Sequence, residues 1–93
     1  MASPWRRRRM CVLVAGEAAP AALRAVSATG AFLETNLRPP LGSRVELHHP
    51  EAGAIEGAVE GVSPDGVRLA FACTEQSVAF ALAAIAADMS KPA

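Results

Sequence analysis

The chain has 93 residues, 52% of them hydrophobic and 19% charged, and its nine basic and nine acidic residues cancel to a formal charge of zero. That length holds one domain with a modest core, and the hydrophobic content lies outside the regime of disordered chains. No run approaches the roughly 20 apolar residues that a membrane-spanning helix needs, and zero net charge by itself selects no anionic partner.

The charge is unevenly distributed. Arg6, Arg7, Arg8 and Arg9 stand together, whereas the nine acids are scattered singly between Glu17 and Asp88. Such a run reads as a flexible basic arm over residues 1–9 that meets water, an anionic ligand or nucleic acid. The arm followed by the apolar residues 10–16 imitates the start of a secretory signal. Glu17 and Arg24 interrupt that stretch, so a cytoplasmic protein is expected. The domain itself is expected over residues 10–89, with residues 90–93 fraying.

In chain order, Met10, Cys11, Val12, Leu13 and Val14 form a first strand, because a short apolar and β-branched run bounded by charge and glycine suits a pleated surface. Residues 17–20 are a loop. Residues 21–26 are a weaker second strand, since their alanines favour helix. A turn at 27–29 leads to a third strand at 30–35, and the loop at 36–42 contains Pro39 and Pro40, which continue neither helix nor sheet. Val45 and Leu47 then alternate with Arg44, Glu46 and His48, the period of two of a half-buried strand. His48 is expected to face outward and His49 to lie in the following loop.

Ile55, Gly57, Val59 and Gly61 alternate with Glu56, Ala58 and Glu60, and Ser63-Pro64-Asp65-Gly66 carries the proline and glycine of a tight turn. Val67, Leu69, Phe71 and Cys73 make the returning strand, which gives a hairpin over residues 54–73. Thr74 caps a helix from Glu75 to about Met89. Val78, Leu82, Ile85 and Met89 recur at helical spacing and predict its core stripe, leaving Phe80 off the stripe and facing a partner chain. Six short strands and one helix leave no room for parallel crossovers. The expected fold is all-β with a C-terminal helix, a small six-stranded antiparallel barrel.

The chemistry-bearing residues are sparse. Cys11 and Cys73 show no Cys-x-x-Cys spacing, and His48 and His49 are the only other soft ligands. Both cysteines fall in apolar runs and are expected to be small buried hydrophobes, not zinc ligands, a disulfide or nucleophiles. Ser27 has no histidine near it in sequence, and no phosphate-cradling glycine pattern is present. An enzyme is therefore the lowest-ranked class, and neither metal nor cofactor is expected.

One resemblance covers almost the whole chain. Residues 27–35, Ser-Ala-Thr-Gly-Ala-Phe-Leu-Glu-Thr, then residues 41–47, Leu-Gly-Ser-Arg-Val-Glu-Leu, the hairpin and the closing helix resemble, in that order, a PilZ domain. The resemblance implies a bacterial signalling barrel that binds cyclic di-GMP through two motifs, RxxxR before the first strand and [D/N]xSxxG between the second and third. It implies Arg6, Arg7, Arg8, Arg9, Ser27 and Gly30 as the ligand-binding residues. Ser27 and Gly30 match the second motif, while Ala25 stands where it has an acid or amide, and no pair within residues 6–9 has the RxxxR spacing.

The ligand is a dianion with two guanines, and a guanidinium serves both parts, by pairing with phosphate or by binding or stacking on the base. An alanine makes no such hydrogen bond, so reduced affinity is expected. The alternative is a degenerate PilZ-like adaptor that has lost the nucleotide and works by protein contact or as a homodimer through the C-terminal helix. Nonspecific nucleic-acid binding by the arginines ranks below both.

Overall fold

A computed structural model of the chain describes residues 9–89, and the side chains of residues 10–87 among them. Residues 1–8 of the arm expected over 1–9, with Arg6, Arg7 and Arg8, and the expected fraying end at 90–93 lie outside the described residues, while Arg9 belongs to the first strand. The elements are β1 (Arg9–Val14), β2 (Ala18–Ser27), β3 (Gly30–Glu34), β4 (Arg44–His49), β5 (Gly53–Ser63), β6 (Gly66–Ala70) and α1 (Glu75–Met89). All strand pairs are antiparallel, and the order β1-β2-β3-β6-β5-β4 closes into a barrel as β4 pairs back onto β1. Closure gives each of these strands a paired neighbour on both sides.

The period of two explains the interior. Leu13, Leu33, Leu47, Val67 and Leu69 come from four strands and are fully buried at the centre of one core. In β4, Val45, Leu47 and His49 point in while Arg44, Glu46 and His48 point out. His49 is thus not a loop residue, because the alternation that buries Leu47 buries it too. Its Nδ1 accepts the N–H groups of Glu51 and Ala52, each at 3.0 Å, which holds the turn that follows.

The largest departures from the expected strand boundaries are in β2 and β6. β2 starts at Ala18, so Pro20 lies within the strand, opposite Val12. It sits beyond the last β2–β3 pair, Ala22 with Glu34, so its missing N–H interrupts no ladder on that side. β6 stops at Ala70, after which Phe71 is buried and Cys73 is exposed as the chain turns toward the helix. Cys11 is buried as expected, Cys73 is exposed, and the two are not joined in a disulfide.

Helix α1 begins in a reciprocal cap. The Ser77 N–H donates to Thr74 Oγ1 at 3.4 Å, and the Thr74 N–H donates to Ser77 Oγ at 3.0 Å. Ser77 thereby takes the part usually played by Glu or Gln in a capping box. Its hydroxyl also donates to the Thr74 carbonyl, and the residue is buried. Ser77→Ala is expected to cost about 1–2 kcal/mol, measured as a lowered urea midpoint with an unchanged m-value.

The buried face of α1 is not the expected stripe. Phe80, Ala81, Ala84 and Ala87 are buried with Ser77, whereas Val78, Leu82 and Ile85 are 41%, 63% and 40% exposed. Phe80 sits edge-on to Phe71 at 5.9 Å between ring centroids and to His49 at 6.0 Å. The helix packs against β2 and β5 at the barrel end. Small alanines let its backbone come close there while a single large ring fills the opening.

Candidate functional site

Strand registers gather the expected binding elements at one end of the barrel. Arg9 opens β1 opposite Leu23 of β2, Ser27 closes β2 opposite Gly30, and Gly30 opens β3 opposite Ala70 at the end of β6. Arg9 is described through its backbone, so the start of the arm, and not its guanidinium groups, is located. The turn itself is built by its own hydroxyls. The Thr29 N–H donates to Ser27 Oγ at 3.2 Å, the Ser27 and Thr29 hydroxyls lie 3.0 Å apart, and the Phe71 N–H donates to the Thr29 carbonyl at 2.9 Å. Ser27 is exposed and keeps hydrogen-bonding capacity for a ligand.

Gly30 has a different cause. A Cβ there would stand 2.3 Å from the carbonyl oxygen of Leu69 on β6, so the close approach of β3 to β6 requires glycine whatever is bound. Ala25, at the position of the acid or amide in the motif, is exposed beside the turn.

Beside this turn the outer wall of the barrel carries an open cleft of about 250 Å³. Two bulges frame it. The registers shift between Leu23 and Ala25 on β2 and between Val59 and Gly61 on β5, so Arg24 and Glu60 are extra residues that bend their strands. Between the bulges, Ala25, Phe32, Arg68 and Gly61 stand in one cross-strand row on the outward face. The next outward row is Ser27, Gly30, Ala70, Ala58 and Arg44. Of these rows, Ala25, Ser27, Gly30, Phe32 and Arg68 line the cleft, together with Thr29 and Glu60 among others, so small residues sit beside one ring and one cation.

The Arg68 guanidinium lies over the Phe32 ring, 5.4 Å from its centroid. Stacking restrains the long side chain and leaves the in-plane N–H groups free to donate. Arg24 is tied across strands to the Glu34 carboxylate on the exposed wall. Glu60 also lines the cleft, and its charge offsets that of Arg68. A dianion therefore needs cations from outside the cleft.

No family model, curated protein or solved structure matches the chain. Among the described residues no group of three or more His, Cys, Asp or Glu is arranged to hold a metal ion, and no helix is long and apolar enough to cross a membrane.

Of the sequence-derived site residues, Ser27 and Gly30 come together at the cleft, and Arg6, Arg7 and Arg8 lie outside the described residues. Phe32 and Arg68 were missed. The sequence marks Arg68 as an outward residue of its strand, but nothing local to it reveals that β6 lies beside β3.

Proposed function

We propose that the chain is a PilZ-like module that binds cyclic di-GMP on the outer wall beside the Ser27–Gly30 turn, with Arg6, Arg7, Arg8 and Arg9 closing over it. The observation that supports this reading is the shared barrel end. β1, which opens with the last arginine of the run, starts opposite Leu23, four residues before Ser27 on the strand that lines the cleft.

Size and charge agree with a shared task. A cleft of about 250 Å³ is below the ~300–1,000 Å³ of pockets that enclose drug-sized ligands, so it seats one base of a dinucleotide and leaves the rest to the arm. The small residues Ala25 and Gly30 beside the Phe32 ring leave room for a stacked base, Arg68 offers donors to guanine O6 and N7, and Ser27 offers a hydroxyl. Because Glu60 offsets Arg68 in the cleft, the phosphates in this reading pair with the arginine run. Ordering of that run would change the surface a partner protein meets.

The decisive measurement is calorimetric titration of the full chain with cyclic di-GMP, in parallel with Ala25→Asp and Arg68→Ala. A charge-assisted hydrogen bond contributes roughly 1.5–3 kcal/mol, or about ten- to a hundredfold in affinity. Ala25→Asp is expected to tighten binding by that factor, and Arg68→Ala to weaken it by about tenfold. Absence of heat and of NMR shifts at millimolar nucleotide, for the wild type and for Ala25→Asp alike, sinks the proposal.

The non-binding adaptor is favoured by one observation, that packing and turn geometry account for Gly30 and Ser27 without any ligand. A silent titration would select it. Binding to arbitrary DNA with a steep salt dependence, lost on deleting residues 1–9, would select nucleic-acid binding by the arm.

A further inference from the structure

The outer face of α1 presents its largest apolar side chains to water. Val78, Leu82 and Ile85 are exposed, and they follow one another at intervals of four and three residues, with Met89 four further on in sequence. A spacing of four, three, four is the a/d seam of a two-helix coiled coil, which makes a narrow stripe against one other helix. The opposite face of α1 already packs on the barrel. The exposed stripe is therefore surplus to folding.

We infer that this stripe is a homodimer seam, on which α1 of a second copy lies antiparallel. An isologous contact must carry both a knob and the hole that receives it. Leu82, at 63% exposure, is the most prominent side chain on the face, and the exposed alanines Ala79, Ala83 and Ala86 beside it are the shallow sites that receive such a knob. The helix carries no charge between Glu75 and Asp88, so no like charges meet along the seam, and the chain as a whole has zero formal charge, so two copies do not repel. Antiparallel pairing also sets the positive dipole end of each helix beside the negative end of the other. It brings Leu82 of one copy opposite Ile85 of the second.

The area sets the strength. Fifteen residues make a helix about 22 Å long and about 10 Å across, less than the ~800 Å² per partner of a stable interface. The dimer is accordingly reversible and concentration-dependent, and it does not depend on nucleotide binding.

Sedimentation equilibrium of the full chain tests this. The average mass is expected to rise from 9.6 kDa toward twice that value between about 10 μM and about 1 mM, the range of weak association. Leu82→Glu and Ile85→Lys are each expected to stay monomeric with thermal midpoints near that of the wild type, and their mixture is expected to regain the dimer. Val12→Glu, on the exposed outer face of β1, is expected to dimerise as the wild type does. A wild type that stays monomeric throughout, an association that survives Leu82→Glu, or a mixture that remains monomeric would each overturn the antiparallel seam.

Discussion

Gly30→Ala is expected to abolish cooperative folding or to lower the thermal midpoint by more than about 12 °C, taking about 4–8 °C per kcal/mol for a domain of this size. The atoms that a Cβ at residue 30 would meet are the Leu69 carbonyl oxygen at 2.3 Å, its carbon at 3.4 Å and the Ala70 Cα at 3.6 Å. All are backbone, so none can rotate away. Relief requires β3 and β6 to separate where Gly30 pairs with Ala70, which opens the closed barrel at that seam. Overpacking typically costs about 1–3 kcal/mol, and forced separation of paired backbones belongs at or above the upper end. A domain of 93 residues has about 5–14 kcal/mol in total.

Ser27→Ala provides the contrast. Its hydroxyl caps an exposed turn, so a cost below about 1 kcal/mol is expected. The two residues of one motif thus separate by cause, glycine for strand approach and serine for the turn. Circular dichroism melts of both variants check this, and a Gly30→Ala protein that melts within a few degrees of the wild type would contradict the close approach. For the same reason Ser27→Ala, and not Gly30→Ala, is the informative variant in a binding experiment.

What the sequence disclosed follows from how local each signal is. β4 was readable because Val45 and Leu47 alternate with charges, and the turn at residues 63–66 because proline and glycine have fixed conformational preferences. β2 was read short because its alanines carry little strand signal and Pro20 looks like a breaker unless the extent of the neighbouring strand is known. The bulges left no trace at all. Arg24 and Glu60 look like ordinary outward charges on alternating strands, and only the register shows that each is an extra residue.

The cleft was hidden for a related reason. Its lining combines β2 and β3, which are adjacent in sequence, with β6 and β5, which follow only after the long loop and β4. Ser27 and Gly30 could be found because they sit in one turn. Arg68 and Phe32 could not, because their contact exists only through the β3–β6 pairing. The interior fate of His49 was missed by one step of an alternation that had already been recognised two residues earlier.

Phe80→Ala is expected to destabilise the domain by about 3–5 kcal/mol, the usual range for a buried phenylalanine, while Leu82→Ala, Val78→Ala and Ile85→Ala each stay within about 0.5 kcal/mol, as exposed substitutions do. The sequence suggests the reverse ranking, and the reason lies in the composition of α1. Alanines fill most of the remaining positions, so the helix is apolar nearly all round, and a stripe of larger residues does not mark the inner side. Barrel geometry decides instead. A helix across the end of the sheet comes close only where its side chains are small, which turns Ala81, Ala84 and Ala87 inward, and the opening it covers admits one ring, Phe80, against Phe71 and His49. Truncating that ring leaves a cavity bounded by two aromatic faces, whereas truncating Leu82 removes a side chain that is 63% exposed. Urea unfolding of the four variants, at concentrations low enough that association does not contribute, separates the two rankings. If Leu82→Ala proved the costly change and Phe80→Ala the mild one, α1 would have to be rotated by about half a turn, and the apolar stripe would then be core and no longer a surface for a second copy.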